Sequence, residues 1–362
     1  MKLDLFNKIA DIPEDKLHPK FKILRDSISM DGERKILLDW TDGFIDRDNK
    51  IVSEFQTTFH SSFWEFYLYR FFIDSSFQID FNHNRPDFMI TSPVEINVEA
   101  VVSNIKQDGR PESTRNFDDI FEIVENPFIK ENYTELLNDS IVRNSNAILY
   151  KSNKYIASYS KCHWINQNTP FIIALSSYDN VNYGREYYYP LLALLYGLYF
   201  NSNTRKLEVI SEVTKPGTSS PIPVGLFTDS QMEHISAILF SCTVTFGKLT
   251  SLSISQNNSE LQMNKVINIR NDYEPPFYKI QEVSDQNPEE LSDGLFIFHN
   301  PYAKNKLSKD IFKNTNVFQI TFENKRLELA GENLPIVTRI NLNKNLFPDI
   351  LLTAIDLNYN WK

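Results

Sequence analysis

Between residues 53 and 176 the spacing of apolar side chains changes period several times, and each change marks a new element. Phe55, Phe59, Phe63, Phe66 and Phe71 fall near helical spacing. Glu54, Thr58, Ser61 and Glu65 follow at intervals of four, three and four, which sets them on another face of the same helix. Ser53 with Gln56 three residues on fits a capping box at its start, and Asp74-Ser75-Ser76 supplies turn residues at its end. Residues 77–81 alternate apolar and polar, which predicts a strand. After the turn Asn82-His83-Asn84, Pro86 cannot donate a ladder hydrogen bond and so suits the head of a second strand, with Asp87 beside it. Residues 94–101 alternate again and place Glu95, Asn97 and Glu99 on one side. Across 136–159 the pairs Ile141/Val142, Ile148/Leu149 and Tyr155/Ile156 recur every seven residues, which predicts a helix. Residues 170–176 form an unbroken apolar run of the length of a strand buried on both faces. The order is helix, three strands, helix, strand: an α/β (α+β) chain with an αβββαβ core.

Outside this core the pattern is less regular. Residues 1–50 are broken by Pro13 and His18-Pro19, and Trp40-Thr-Asp-Gly43 resembles a turn, so the segment is expected to be an N-terminal appendage packed on the core. His18 beside Pro19 is expected in a loop and not as a ligand. Residues 103–135 are polar and acidic, the composition of a solvated, partly helical connection. Residues 187–200 are aromatic and apolar, which predicts a buried helix with Pro190 in its first turn; a base-stacking stripe is the other reading of those rings. The runs 235–240, 249–254, 294–298 and 317–329 read as strands or short elements, and His299-Asn300-Pro301 as a structural turn. The chain thus divides into an appendage at 1–50, a core at 51–180, and an additional C-terminal α+β region at 181–362 packed on it.

Composition narrows the function classes. A 41% hydrophobic, 13% aromatic chain of 362 residues supports a sizeable core. Its formal net charge of −10 counts against a protein that grips nucleic acid over its whole surface, and leaves a local basic patch or dependence on bound cations. Cys162 and Cys242 are too few for a disulfide framework, and no leader-like apolar segment or membrane-length run is present, so a reducing, cytoplasmic setting without membrane contact is expected. Cys162 and His163 adjoin, but no partner pair stands at zinc spacing. With 10 glycines there is no phosphate-cradling loop.

The candidate chemistry is carried by three carboxylates. Glu65 lies on the predicted helix, and Asp87 and Glu99 on two predicted strands, which is how hard divalent cations are held by oxygen ligands. Taken singly, Glu65 could pair with Arg70, Asp87 could cap a turn, and Glu99 could be the polar position of an edge strand. On the helix at 136–159, Arg143, Ala147, Lys151 and Lys154 share a face at spacings of four, four and three. A solvated basic face is the plain reading of that stripe.

The ordered set Glu65, Pro86-Asp87 and Glu99 resembles the PD-(D/E)XK nuclease superfamily. The local text RPDFMI…INVEA resembles more closely an uncharacterised bacterial family within it, in which the strand ends in Glu-Ala. Further similarities lie at Arg143…Lys151-Ser-Asn-Lys154-Tyr155, Pro170 to Leu175, His234 to Leu239 and His299 to Ala303, so the resemblance runs from about Glu54 to Leu307. It implies a restriction-endonuclease-like fold with a mixed sheet. It implies Mg2+ (or Mn2+) held by Asp87, Glu99 and Glu65, and a metal-dependent endonuclease acting on nucleic acid, DNA ahead of RNA, in bacterial defence or restriction. It also leaves room for a dimer. Val101 stands where the superfamily carries its lysine. Some members supply that lysine from a helix, which points to Lys151 first and Lys154 second as the active-site cation, with Arg143 and Lys154 as nucleic-acid contacts. The alternative is a nuclease-like fold that has lost catalysis and binds nucleic acid or protein partners, or an unrelated interaction protein whose aromatic second half is the partner surface.

Overall fold

A computed structural model describes residues 3–346 and 349–359. The molecule is mixed α/β, with nine α-helices among the described residues and one large mixed sheet. The first four helices are α1 (Pro19–Asp26), α2 (Asp31–Trp40), α3 (Ile51–Thr57) and α4 (His60–Asp74). Strands β1 (Gln78–Asp80), β2 (Phe88–Ser92) and β3 (Ile96–Asn104) follow, then α5 (Asp118–Val124), α6 (Tyr133–Ala157), β4 (Phe171–Tyr178), α7 (Tyr189–Tyr196) and α8 (Phe246–Ser255).

From α4 to β4, setting aside the short α5, the order is the αβββαβ expected from periodicity. β1 pairs with β2 and β2 with β3, both antiparallel, and β3 runs parallel to β4. Residues on both sides of position 180 build this one sheet. Next to β4 lies Ala237–Ser241, parallel to it, then Phe296–His299, Phe318–Glu323 and Arg326–Ala330, giving eight strands. A separate three-stranded sheet is built from Asn264–Asn271, Tyr278–Glu282 and Ile336–Asn343. It is tied to α8 by a buried ionic knot in which Glu289 accepts from Lys248 at 2.6 Å, from Asn268 at 2.8 Å and from Arg339.

Strand alternation divides the core between the two faces of the large sheet. Ile96, Val98, Ala100, Ile172 and Ala174 point into a cluster with α1 to α4, including Leu5, Phe21, Trp40 and Phe63. Phe171, Ile173 and Leu175 point the other way, onto α6 and α7. The N-terminal residues 5–44 are therefore structural wall for the first of these clusters. Helix α7 is buried from Pro190 to Tyr196; Tyr187, Tyr188 and Tyr196 are core, and Tyr189 and Tyr199 pack against it half-buried.

Three local expectations differ from the structure. The helix drawn from Ser53 is two helices. Thr57 Oγ1 bonds back to Ser53 O at 2.8 Å and Thr58 Oγ1 to Glu54 O at 2.9 Å, and the chain turns at Phe59 with φ of 57°. Packing of the buried Phe59 ring on Phe63 and His18 offsets that backbone strain. No capping box forms: Ser53 lies inside α3, and the buried Gln56 amide instead donates to Asn7 O at 2.9 Å. Residues 249–254 are helical, part of α8, because a short run buried on most sides carries no period that separates helix from strand. The buried helix at 187–200 ends at Tyr196, where Gly197 takes a left-handed φ of 70°, and the chain continues as the strand Leu198–Asn201.

Candidate active site

The site forms where β2 is too short to cover its neighbour. The β2–β3 ladder begins at the Phe88–Val98 pair, so the C-terminal half of β3 has β4 on one side and no strand on the other. Asp87, one residue before the ladder, fills part of that gap: its Oδ2 accepts the backbone N–H of Ala100 at 2.7 Å. The open edge joins the two helical layers. A cavity of about 590 Å³ is lined by Ser61, Trp64 and Glu65 of α4, by Asp87, by residues 100–105, and by Arg143, Ala147, Tyr150 and Lys151 of α6.

Each candidate is held by identifiable contacts. Helix α4 is pinned beside Glu65 by Trp64, whose indole N–H donates to Ala174 O at 2.9 Å on β4. Glu99 sits on an internal strand and is 1% exposed. Its Oε1 accepts from Lys151 Nζ at 2.6 Å and from the Tyr159 hydroxyl at 3.0 Å, with Lys154 Nζ at 3.8 Å. Its Oε2 is buried without a partner. The Asp87 turn is held by Arg47, which donates to the carbonyls of His83, Pro86 and Asp87.

The charges strain one another. Burial, then the Glu99 charge, push the Asp87 carboxyl up to about 6. Burial, then Asp87 and Glu54, push Glu65 well above the usual carboxylate range. Burial works against the Lys151 ammonium, but Glu99 and Asp87 outweigh it and hold its pKa above the ordinary lysine value. Of the residues singled out by sequence, the cavity brings together Glu65, Asp87, Lys151 and Arg143, and Glu99 lies buried behind it, ion-paired to Lys151. Lys154 is not part of the lining; its Nζ lies over the Tyr159 ring. One oxygen from each of Glu65, Asp87 and Glu99 does not come within 4.8 Å of the other two. Glu99 Oε1 is paired with Lys151 of α6, and Asp87 Oδ2 is tied to the backbone of β3.

Two contributors left no periodic trace in the sequence. Arg47 lies outside the core segment and Tyr159 in the turn after α6; both act through long-range hydrogen bonds that no spacing encodes.

A second cluster has the geometry of a metal site. Among the described residues, His18, His60 and Glu112 are the set that brings three ligand atoms within 4.8 Å of one another. His18 caps α1: the Lys20 N–H can only donate, so Nδ1 of His18 accepts it at 3.2 Å and the ring proton sits on Nε2, facing Glu112 Oε1 at 3.4 Å. Lys20 Nζ donates to Glu112 Oε2 at 2.5 Å and to the Tyr183 hydroxyl at 2.6 Å. Burial lowers His18 to about 4 and lowers His60, so both rings are neutral. Burial works to raise Glu112, but the His60 hydrogen bond and the Lys20 charge outweigh it and hold the carboxyl at about 2. The Lys20 ammonium and the two imidazoles balance Glu112 in this structure, while Nδ1 of the buried His60 has no partner, so the set keeps the geometry of a metal site.

No family model, curated protein or solved structure matches the chain. No helix among the described residues is long and apolar enough to cross a membrane.

Proposed function

We propose that the protein is a metal-dependent nuclease with a restriction-endonuclease-like core, hydrolysing phosphodiester bonds of nucleic acid at the cavity between α4 and α6. The observation that carries this reading is the meeting of Glu65, Asp87 and Lys151 in one cavity at the open edge of β3, with the buried Glu99 ion-paired to Lys151 behind it. The element order α4-β1-β2-β3-α6-β4 and the RPDFMI…INVEA text support it.

The residues fit a hard divalent cation such as Mg2+ or Mn2+. Asp87 and Glu99 would hold it, with Glu65 completing the set. The buried, unpartnered Glu99 Oε2 and the raised pKa values of Asp87 and Glu65 are what a set of oxygen ligands looks like before its charge is balanced. When bound, such an ion supplies charge neutralisation and an acidified water. The chain's own groups do the rest. Lys151 keeps its proton and offers a positive charge to a phosphate that enters the cavity. Arg47 fixes the turn that aims Asp87. Val101 lines the same cavity and offers no charge, so the positive group comes from α6.

The 2.6 Å Lys151–Glu99 ion pair favours one other reading, a nuclease-like module in which that lysine has replaced the cation and catalysis is lost. Calorimetry with Mg2+ and Mn2+, paired with cleavage of labelled oligonucleotides, separates the two. The nuclease requires cation binding that Asp87→Asn abolishes. It also requires Lys151→Met to lower turnover by about 10²-fold or more while cation binding persists. Absence of cation binding with retained oligonucleotide affinity would establish the binding module instead.

A further inference from the structure

Helix α6 carries more than the lysine of the site. Arg143 lies two turns before Lys151, roughly 12 Å along the helix axis, and lines the same cavity. It also lines a neighbouring depression of about 240 Å³, which meets the first at Ile105 and Arg143. The other cations of that depression are engaged: Lys106 with Asp139 at 3.0 Å, Arg110 with Asp119 at 2.5 Å, Lys130 with Glu125 at 3.1 Å, and Arg185 with the carbonyls of Ile123 and Glu125. Arg143 makes no hydrogen bond or ion pair to the described residues, and its Nε is buried without a partner. A guanidinium at the junction of two depressions, with no internal acceptor, is available to a ligand that brings its own oxygens.

Between Arg143 and Lys151, on the outer side of α6, stands Tyr150. It lines the cavity and is 62% exposed, although most tyrosines of this chain are buried. An aromatic face held on a rigid helix beside a phosphate-sized cation is the element that single-strand binders use, because every base offers a π-face to stack on. The charge count points the same way. A duplex carries about one charge per 1.7 Å of axis and calls for a broad basic surface. Here the net charge is −10, and Arg143 and Lys151 are the cations lining the cavity. The reacting groups are also recessed, with the Glu99 side chain 1% and the Lys151 side chain 13% exposed.

We infer that the ligand of this face is a single-stranded polynucleotide that runs along α6, one phosphate at Lys151, another at Arg143, and a base stacked on Tyr150. This rests on the nuclease reading for what happens at Lys151, but the strand path itself is a matter of binding. Fluorescence anisotropy in EDTA, where nothing is cleaved, tests it on the whole chain with three labelled 12-nucleotide probes of one sequence: single-stranded DNA, single-stranded RNA and the DNA duplex. The single strands are expected to bind more tightly than the duplex, and whichever is preferred identifies the sugar. Tyr150→Ala should weaken single-strand binding roughly 5- to 150-fold, with Tyr150→Phe close to the parent. Arg143→Gln should reduce the slope of log affinity against log salt by about one. Equal or tighter binding of the duplex, an unchanged Tyr150→Ala protein, or no binding of any probe would each overturn the strand path. A parallel cleavage assay in Mg2+ keeps the two readings apart. Cleavage of the duplex at the rate of the single strand leaves the nuclease standing and removes this inference. Tight, Tyr150-dependent binding without cleavage does the reverse.

Discussion

Glu112 shows most clearly how one side chain sets the behaviour of its surroundings. It sits in the connection between β3 and α5, and reaches two histidines and a lysine from α1 and α4. Its carboxyl is held at about 2, against an ordinary value near 4.5, so it contributes stability that is fully present above pH 4.5 and is lost as pH falls through 2. His18 and His60 are buried neutral and titrate below their usual range, so they too cost stability on acidification below about pH 6.5. Glu112→Gln leaves the Lys20 ammonium, 12% exposed, without its carboxylate. The expected loss is about 2–4 kcal/mol at pH 7. In urea melts the gap from the parent should narrow as pH drops from 4.5 toward 2; a gap that widens would show the network is misread. The sequence offered His18 as a loop residue. Its partnership with residues 60 and 112 was illegible, because contacts across such separations follow from the fold and not from local spacing.

At the scale of elements, much of the site could be read in advance, for a definite reason. Lys151, Ala147 and Arg143 share a face because helical period fixes direction, and Asp87 and Glu99 lie near each other because adjacent antiparallel strands bring such positions together. The break between α3 and α4 was not legible: the aromatic spacing passes through Phe59 without interruption, and only the threonine back-bonds and the positive φ mark it. Nor was the register by which β2 stops short of β3, which opens the cavity to both layers. Arg47 is the brace of that opening. If the proposed cation site is real, Arg47→Ala should free the turn at residues 83–87 and weaken Mn2+ binding about 10- to 100-fold, as loss of a group that orients ligands does, with the far-ultraviolet circular dichroism unchanged. Cation affinity equal to that of the parent would mean the turn stands without its clamp.

For the whole molecule the sheet is the unit. The division expected near residue 180 follows a change in composition, whereas the eight strands cross it, because the apolar runs at 237–241 and 296–299 complete the same buried surface. The remote end of the chain is held by charge as well. Glu289 faces Lys248 and Arg339 in the interior, all three at most 4% exposed. Burial works to raise that carboxyl, and the two cations outweigh it and hold it far below the ordinary range. Glu289→Gln strands two buried cations and is expected to cost about 3–5 kcal/mol, measured as a fall in the urea midpoint at constant m-value. A loss below 1 kcal/mol would mean the knot is dispensable.

The strand order also has a consequence in time. β4 is an apolar strand whose outer neighbour, Ala237–Ser241, lies far along the chain, and that strand's own neighbour, Phe296–His299, lies further still. At roughly 5–20 residues per second on the ribosome, the roughly 60 residues between them take several seconds to appear. Through that interval β4 presents unpaired N–H and C=O groups flanked by Phe171, Ile173 and Leu175, an edge of the kind that recruits other chains. The half of the protein that carries the candidate chemistry is thus the half that needs shelter while it is being made, and the rate at which residues 179–241 are translated sets how long that need lasts.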